Sequence, residues 1–290
     1  MSNSRSSHTF HGIYGWLQAI NPVGLQLELT NRNVDGMSFW TRWNIIEPEQ
    51  GVFDWSSLDA HVRAATGAGK HFVLTVVAGM NTPHWVYGLG ASAVRLSRGT
   101  VPIPWDPTYL QYFKRMIAQL GARYANNPAL DGVHITGINY GSGETFLVAG
   151  PSAADCRPGM EAGYSASRVI SAYSQILNEF TDDFPRVQFS PSIIPGGFCL
   201  NANTFDFSMN GTLISLGGSV PENSGWKNHW IMSGMAGYQE GSPLGRALPA
   251  ALKLALAQPT TRYLELYQGD LDNAVLEPKI AAARRLLLSR

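Results

Sequence analysis

The sequence predicts an α/β fold, a (β/α)8 barrel in a single domain. Three observations predict it. Short apolar runs alternate with helical patterns along the chain, which implies parallel strands joined by right-handed crossovers. The length of 290 residues suits a barrel, which takes about 250 residues as one domain. The run His71-Phe-Val-Leu-Thr-Val-Val-Ala78 is apolar on both faces, as a strand covered by helices must be.

The elements follow in order. Residues 1–8 are expected to be a flexible lead and 9–290 the barrel. Strands are predicted over 9–14, 34–43 and 71–78. A short helix over 23–29 follows Asn21-Pro22, since proline suits a first helical turn. Asp54 to Asp59 offers caps for a helix running to about 67. Residues 79–101 read as a long loop. Asp106-Pro107 opens a helix over 108–124, with Leu110, Phe113, Ile117 and Leu120 at helical spacing. A strand over 132–138, a loop to 164, a helix over 165–180 and a strand over 187–193 come next. Residues 195–225 have no legible pattern and are where an eighth strand is expected. Strands over 230–235 and 262–267 and helices over 248–257 and 277–288 complete the chain. A doubly wound sheet is the other reading, but no Gly-x-Gly-x-x-Gly follows the first strand.

Composition excludes several functions. Lys+Arg and Asp+Glu number 21 each with no basic stripe, so nucleic acid is not an expected partner. No apolar run approaches a membrane span. The leading residues form no signal peptide, so the chain is expected to be cytoplasmic, or secreted with its signal removed. Cys156 and Cys199 are either two free thiols or one disulfide. His8, His11, His61, His71, His84, His134 and His229 show no metal-ligand spacing, and no metal or cofactor is expected. His134 reads as a core or barrel-lumen histidine.

Two glutamates carry the functional reading. Glu265 interrupts the apolar strand Tyr263-Leu-Glu-Leu-Tyr267, on the face opposite Leu264 and Leu266. A carboxylate there is costly unless paired or used. Its candidate structural partners are Arg262 and Arg42. Glu144 follows the strand over 132–138 after a Gly-Ser-Gly turn, at the end where barrel active sites lie. Two carboxylates flanking a glycosidic bond are its usual hydrolytic machinery. A gap of about 5–5.5 Å gives retention and about 6.5–9.5 Å inversion. Eight tryptophans supply flat apolar surfaces on which sugar rings pack. Trp16, Trp40, Trp43, Trp85, Trp105 and Trp230 sit near strand ends or in loops, and Trp85 is the preferred platform. Trp16, Arg42, Trp43, His84, Trp85, Asn139, Tyr238 and Tyr267 are the candidate substrate-binding residues.

The segment Trp43 to Asp59, WNIIEPEQGVFDWSSLD, resembles one that follows the second strand in (β/α)8 retaining glycosidases, notably the β-galactosidase-like members. Gly69-Lys70 and Pro83-His84-Trp85 look like the third-strand region of that family. The resemblance implies an acid/base glutamate after the fourth strand, here Glu144, and a nucleophile at the end of the seventh, here Glu265. Glu47 and Pro48 have a shaping role in the family. If 195–225 contributes a strand, Glu265 moves to the eighth and Glu240 becomes the alternative nucleophile. The expected function is a retaining hydrolase of β-linked oligo- or polysaccharide. The alternative is a non-catalytic carbohydrate-binding protein on a degenerate barrel, favoured by Gly143 where the family has asparagine.

Overall fold

The computed structural model describes residues 11–18, 25–97, 99–138, 153–185, 187–191, 229–231 and 263–289, with 252 and 256 besides. Among them, seven parallel strands form one sheet. These are β1 (Gly12–Gln18), β2 (Gly36–Arg42), β3 (His71–Val77), β6 (Leu130–Ile135), β7 (Gln188–Pro191), β8 (His229–Ile231) and β9 (Tyr263–Tyr267). The order across the sheet is β7-β6-β3-β2-β1-β9-β8. A separate antiparallel hairpin joins β4 (Ala93–Leu96) to β5 (Gly99–Pro102).

The sheet curls into a barrel wall. Four strand steps separate β9 from β6, about 19 Å in a flat sheet at ~4.8 Å per step. Yet His134 on β6 lies 2.8 Å from Glu265 on β9. Tyr14 on β1 likewise donates a hydrogen bond to Asp131 on β6. Such contacts require the interior faces of opposite walls to meet, which removes the doubly wound alternative. The outer edges, β7 and β8, are joined in the chain by residues that lie outside the described set, including the expected eighth strand in 195–225. The Cys156–Cys199 pairing also falls outside the described side chains.

Alternation along each strand divides the molecule into an interior and a helix-covered exterior. Met37, Phe39, Phe72, Leu74, Leu264 and Leu266 are fully buried between sheet and helices. Two long helices, α5 (Pro107–Tyr124) and α7 (Ala166–Asp183), pack on each other and on this layer. Their starts are written locally. The Asp106 side chain accepts from the Tyr109 N–H at 2.9 Å with proline next in line, and Ser165 caps α7. The closing helix α9 (Glu277–Leu288) is clamped by Arg284, which makes a bidentate pair with Asp35 between β1 and β2. Gly36 is glycine because a Cβ there would overlap the Tyr14 ring.

Several expectations change. The strand expected over 34–43 ends at Arg42, and Trp43 opens the short helix α2 (Trp43–Ile46). The supposed loop over 79–101 contains helix α4 (His84–Gly88) and the hairpin. The signal for the hairpin is the alternation that buries Val94 and Leu96 while exposing their neighbours. Helix α6 (Ala153–Glu161) occupies part of the expected loop before 164, and the one-turn helix α8 (Gln268–Leu271) follows β9 directly. Helices α1 (Leu25–Thr30) and α3 (Ser56–Gly67) lie close to their predicted places. No helix among the described residues is long and apolar enough to cross a membrane.

Glu28, on α1, is fully buried, and neither of its carboxylate oxygens has a hydrogen-bond partner among the described residues. It sits against the outward face of β1 at Gly15, where a Cβ would stand 2.9 Å from Oε2. Burial pushes its carboxyl up from 4.5 to about 8, with Asp272 adding to the rise and Lys70 opposing it. The folded chain therefore holds a proton that the unfolded chain releases, and stability falls as pH rises through that interval. Glu28→Gln is predicted to melt higher than the parent at alkaline pH and close to it in acid. A gap independent of pH contradicts this.

Candidate active site

Glu265 occupies the barrel interior, two residues below the end of β9, and is 2% exposed. It pairs in register with Tyr14 on β1 and Ile231 on β8. Its Oε1 accepts hydrogen bonds from His134 Nε2 at 2.8 Å and from the Tyr263 hydroxyl. These replace the expected partners: Arg42 is not bonded to it, and Arg262 lies outside the described residues. Burial opposes the charge on Glu265, but His134 and the Tyr263 hydrogen bond outweigh it and hold the carboxyl below its ordinary range. Oε2 has no hydrogen-bond partner among the described residues. Below this pair, Asp131 bridges Tyr14 and His71, the latter at 3.0 Å. Burial and the Asp131 charge raise the Tyr14 hydroxyl, so it stays protonated and donates.

The next layer up is aromatic. At the strand ends Trp16 lies 4.8 Å from Tyr267 and 6.1 Å from Trp40, ring centre to ring centre. The Arg42 guanidinium sits 5.7 Å over Trp40, and its Nε is buried without a hydrogen-bond partner among the described residues. Trp16, Arg42 and Tyr267 are each partly exposed. The structure thus brings together three predicted residues and adds Trp40, which shares the inward face of β2 with Ser38. Alternation along β2 is the signal that finds Trp40. No carboxylate among the described residues forms an ion pair with Arg42, so its charge faces the rim unneutralised by them.

Glu47 organises the outer rim. Its Oε2 accepts from the Trp43 indole at 2.9 Å, and its Oε1 from the Gly51 N–H at 2.8 Å and from Arg115. Its backbone carbonyl accepts from the Trp85 indole at 3.1 Å. Arg115 stacks on Trp85 and Tyr112 at 5.3 and 5.0 Å. Glu47 is therefore fully committed to shaping this corner. Trp43 is completely buried against Tyr109, Phe113 and Trp85, so its ring is not presented to a ligand. Trp85, the expected platform, is half-buried and wedged between Trp43, Tyr112 and Arg115. His84 is exposed at the start of α4, apart from the aromatic layer. Arg115 is invisible to motif reading, since its partner lies 68 positions away.

The segment leading to Glu144 is anchored where it leaves β6. Thr136 donates to the Val76 carbonyl at 2.5 Å, and the Tyr109 hydroxyl donates to the Gly137 carbonyl at 2.5 Å. Gly137 has φ +107°, and a Cβ there would overlap Phe113. Both facts demand glycine. Asn139, Glu144, Tyr238 and Glu240 lie outside the described residues. Among the described residues no group of three potential ligands is placed to hold a metal ion.

A family model described as β-galactosidase matches residues 33–142, from the approach to β2 through the anchored segment after β6. No curated protein matches the chain. Among solved structures, the cold-adapted β-galactosidase from Rahnella sp. R3 is 13% identical with a TM-score of 0.57, over 99% of this chain and 57% of that one. The catalytic domain of a β-amylase from Paenibacillus polymyxa is 12% identical with a TM-score of 0.56, over 93% and 89%. A β-galactosidase from the psychrophilic Marinomonas ef1 is 14% identical with a TM-score of 0.48, over 70% and 39%. The chain thus spans 39% and 57% of the length of these two β-galactosidases. It has the (β/α)8 barrel fold of these solved structures.

His134→Leu is predicted to cost roughly 3–5 kcal/mol at neutral pH, because it leaves the buried Glu265 carboxylate without its hydrogen-bond partner across the barrel. The cost shrinks in mild acid, where Glu265, no longer held ionised, takes a proton. Thermal melts at the two pH values test this. An equal loss at both contradicts it.

Proposed function

We propose that this chain is a retaining glycoside hydrolase acting on β-linked sugar, with β-galactosides the first substrates to try. The observation that carries the reading is the β-galactosidase match over 33–142 on a barrel whose strand ends present Trp16, Tyr267 and Arg42, backed by the buried Trp40. A sugar ring packs its C–H face on such aromatics, and a guanidinium at their edge donates to hydroxyls or steadies a carboxylate.

Glu144 is the general acid/base. It follows the fourth strand of the described order, soon after the Gly137 anchor. For the nucleophile, the contacts of Glu265 favour Glu240. β9 pairs with β1, so in an eight-stranded barrel it is the closing strand and β8 is the seventh. The family resemblance puts the nucleophile at the end of the seventh, and Glu240 follows β8. Glu265 is already ionised and tied to His134 beneath the aromatic layer. In this reading it fixes the lumen rather than attacking. One carboxylic acid protonates the leaving oxygen, and the other carboxylate attacks the anomeric carbon; water then releases the sugar.

Glu144→Gln and Glu240→Gln are predicted to lower turnover of a chromogenic β-glycoside by at least about 10³-fold while melting like the parent. Glu265→Gln is predicted to lower the melting temperature and leave measurable turnover. Full activity in the Glu144 and Glu240 variants removes these two residues from the mechanism, and absence of turnover in the parent removes the hydrolase reading. Saccharide binding without turnover in the parent supports the carbohydrate-binding alternative.

A further inference from the structure

A hollow of about 470 Å³ lies outside the barrel wall, between the N-terminal parts of α5 and α7. Pockets of ~300–1,000 Å³ accommodate small organic ligands. One wall comes from the segment after β3, with Ser92, Trp105 and Asp106. The other comes from α7, with Arg168, Ser171 and Gln175. Both segments follow strands, so the hollow starts on the side of the barrel where active sites lie. A second hollow of about 390 Å³ shares Pro107 and Gln175 with it and continues along the same helices. Together they form a groove rather than a single pit.

The lining narrows the ligand class. Asp106 is engaged as a local cap, its oxygens accepting the N–H groups of Tyr109 at 2.9 Å and Ser92 at 3.1 Å. Arg168 donates one N–H to the Gly163 carbonyl at 2.9 Å, which orients the guanidinium and leaves further donors directed elsewhere. The side chains of Ser171 and Gln175 are exposed and make no hydrogen bond among the described residues. Trp105 is half-buried, with its ring 6.2 Å from that of Tyr164. An aromatic ring beside donors and acceptors of both kinds, in a groove whose second hollow adds the oppositely charged Lys114 and Glu179 and so favours neither sign, matches a neutral polyhydroxylated ring.

We propose that this groove binds a sugar unit of a neutral β-linked oligosaccharide, outside the barrel mouth. The ring packs against Trp105, and its hydroxyls bond to Arg168, Ser171 and Gln175. The choice of saccharide as ligand rests on the hydrolase reading, but the groove's occupancy is measured independently of turnover. The experiment is calorimetric titration of the full-length Glu144→Gln chain with short and long β-linked gluco-, xylo- and galacto-oligosaccharides. Ser171→Arg in that background fills the groove from an exposed position, and Trp105→Ala removes the platform. The expected result is that at least one long oligosaccharide binds the parent more tightly than its short counterpart. Both variants then lose about tenfold in affinity for the long one. Should Trp105→Ala fail to fold, the exposed Ser171→Arg variant decides. Unchanged affinity in a folded Ser171→Arg chain, or no oligosaccharide binding by the parent, overturns the proposal. Binding that the variants lose, in a wild-type chain without glycosidase activity, keeps the groove and rejects the hydrolase.

Discussion

A carboxylate inside a barrel needs a partner from another wall, and Glu265 finds His134 there. The 2.8 Å contact links the strand that pairs with β1 to the strand that leads into the Glu144 segment. Water is excluded around it, so the charge is affordable only while both strands keep their places. Tyr263, at the start of β9, and the Tyr14–Asp131–His71 bridge extend the same constraint downward. The interior is thus a set of polar cross-links between opposite walls, roofed by the aromatic layer of Trp16, Trp40 and Tyr267.

The outer rim follows a similar logic with a different node. Glu47 gathers Trp43, Gly51, Trp85 and Arg115 into one corner between β2, α4 and α5. This corner explains why a segment with so many aromatic residues contributes little open surface. Its rings support the loops instead of meeting a ligand, while the inward-facing rings of β1, β2 and β9 remain at the mouth. The division of labour among tryptophans is set by which face of a strand each occupies and which indole N–H is already engaged.

Much of the barrel is legible because its signals are local. Period-two apolar strands, the Asp106-Pro107 helix start and the helical spacing of α5 each act within a few residues. The hairpin after β3 is masked by its shortness and by the glycine at its turn. At the site, Glu265 is conspicuous because a charge on an apolar strand violates a local pattern. Its partner is not, because 131 positions separate them and only the curl of the sheet brings them together. The same holds for Arg115 and Glu47. Trp85 illustrates the converse: its position after a strand suggests a platform, but its indole bond to the Glu47 carbonyl turns it into a wall.

The central claim is that a glycosyl–enzyme forms on a carboxylate outside the His134-bound lumen. Its most direct measurement is trapping with a fluorinated β-glycoside that slows release, followed by mass spectrometry of the labelled peptide. The predicted result is one added sugar per chain, located on Glu240. A label on Glu265 contradicts the role given to the lumen pair, and an unlabelled chain that still turns over substrate contradicts retention.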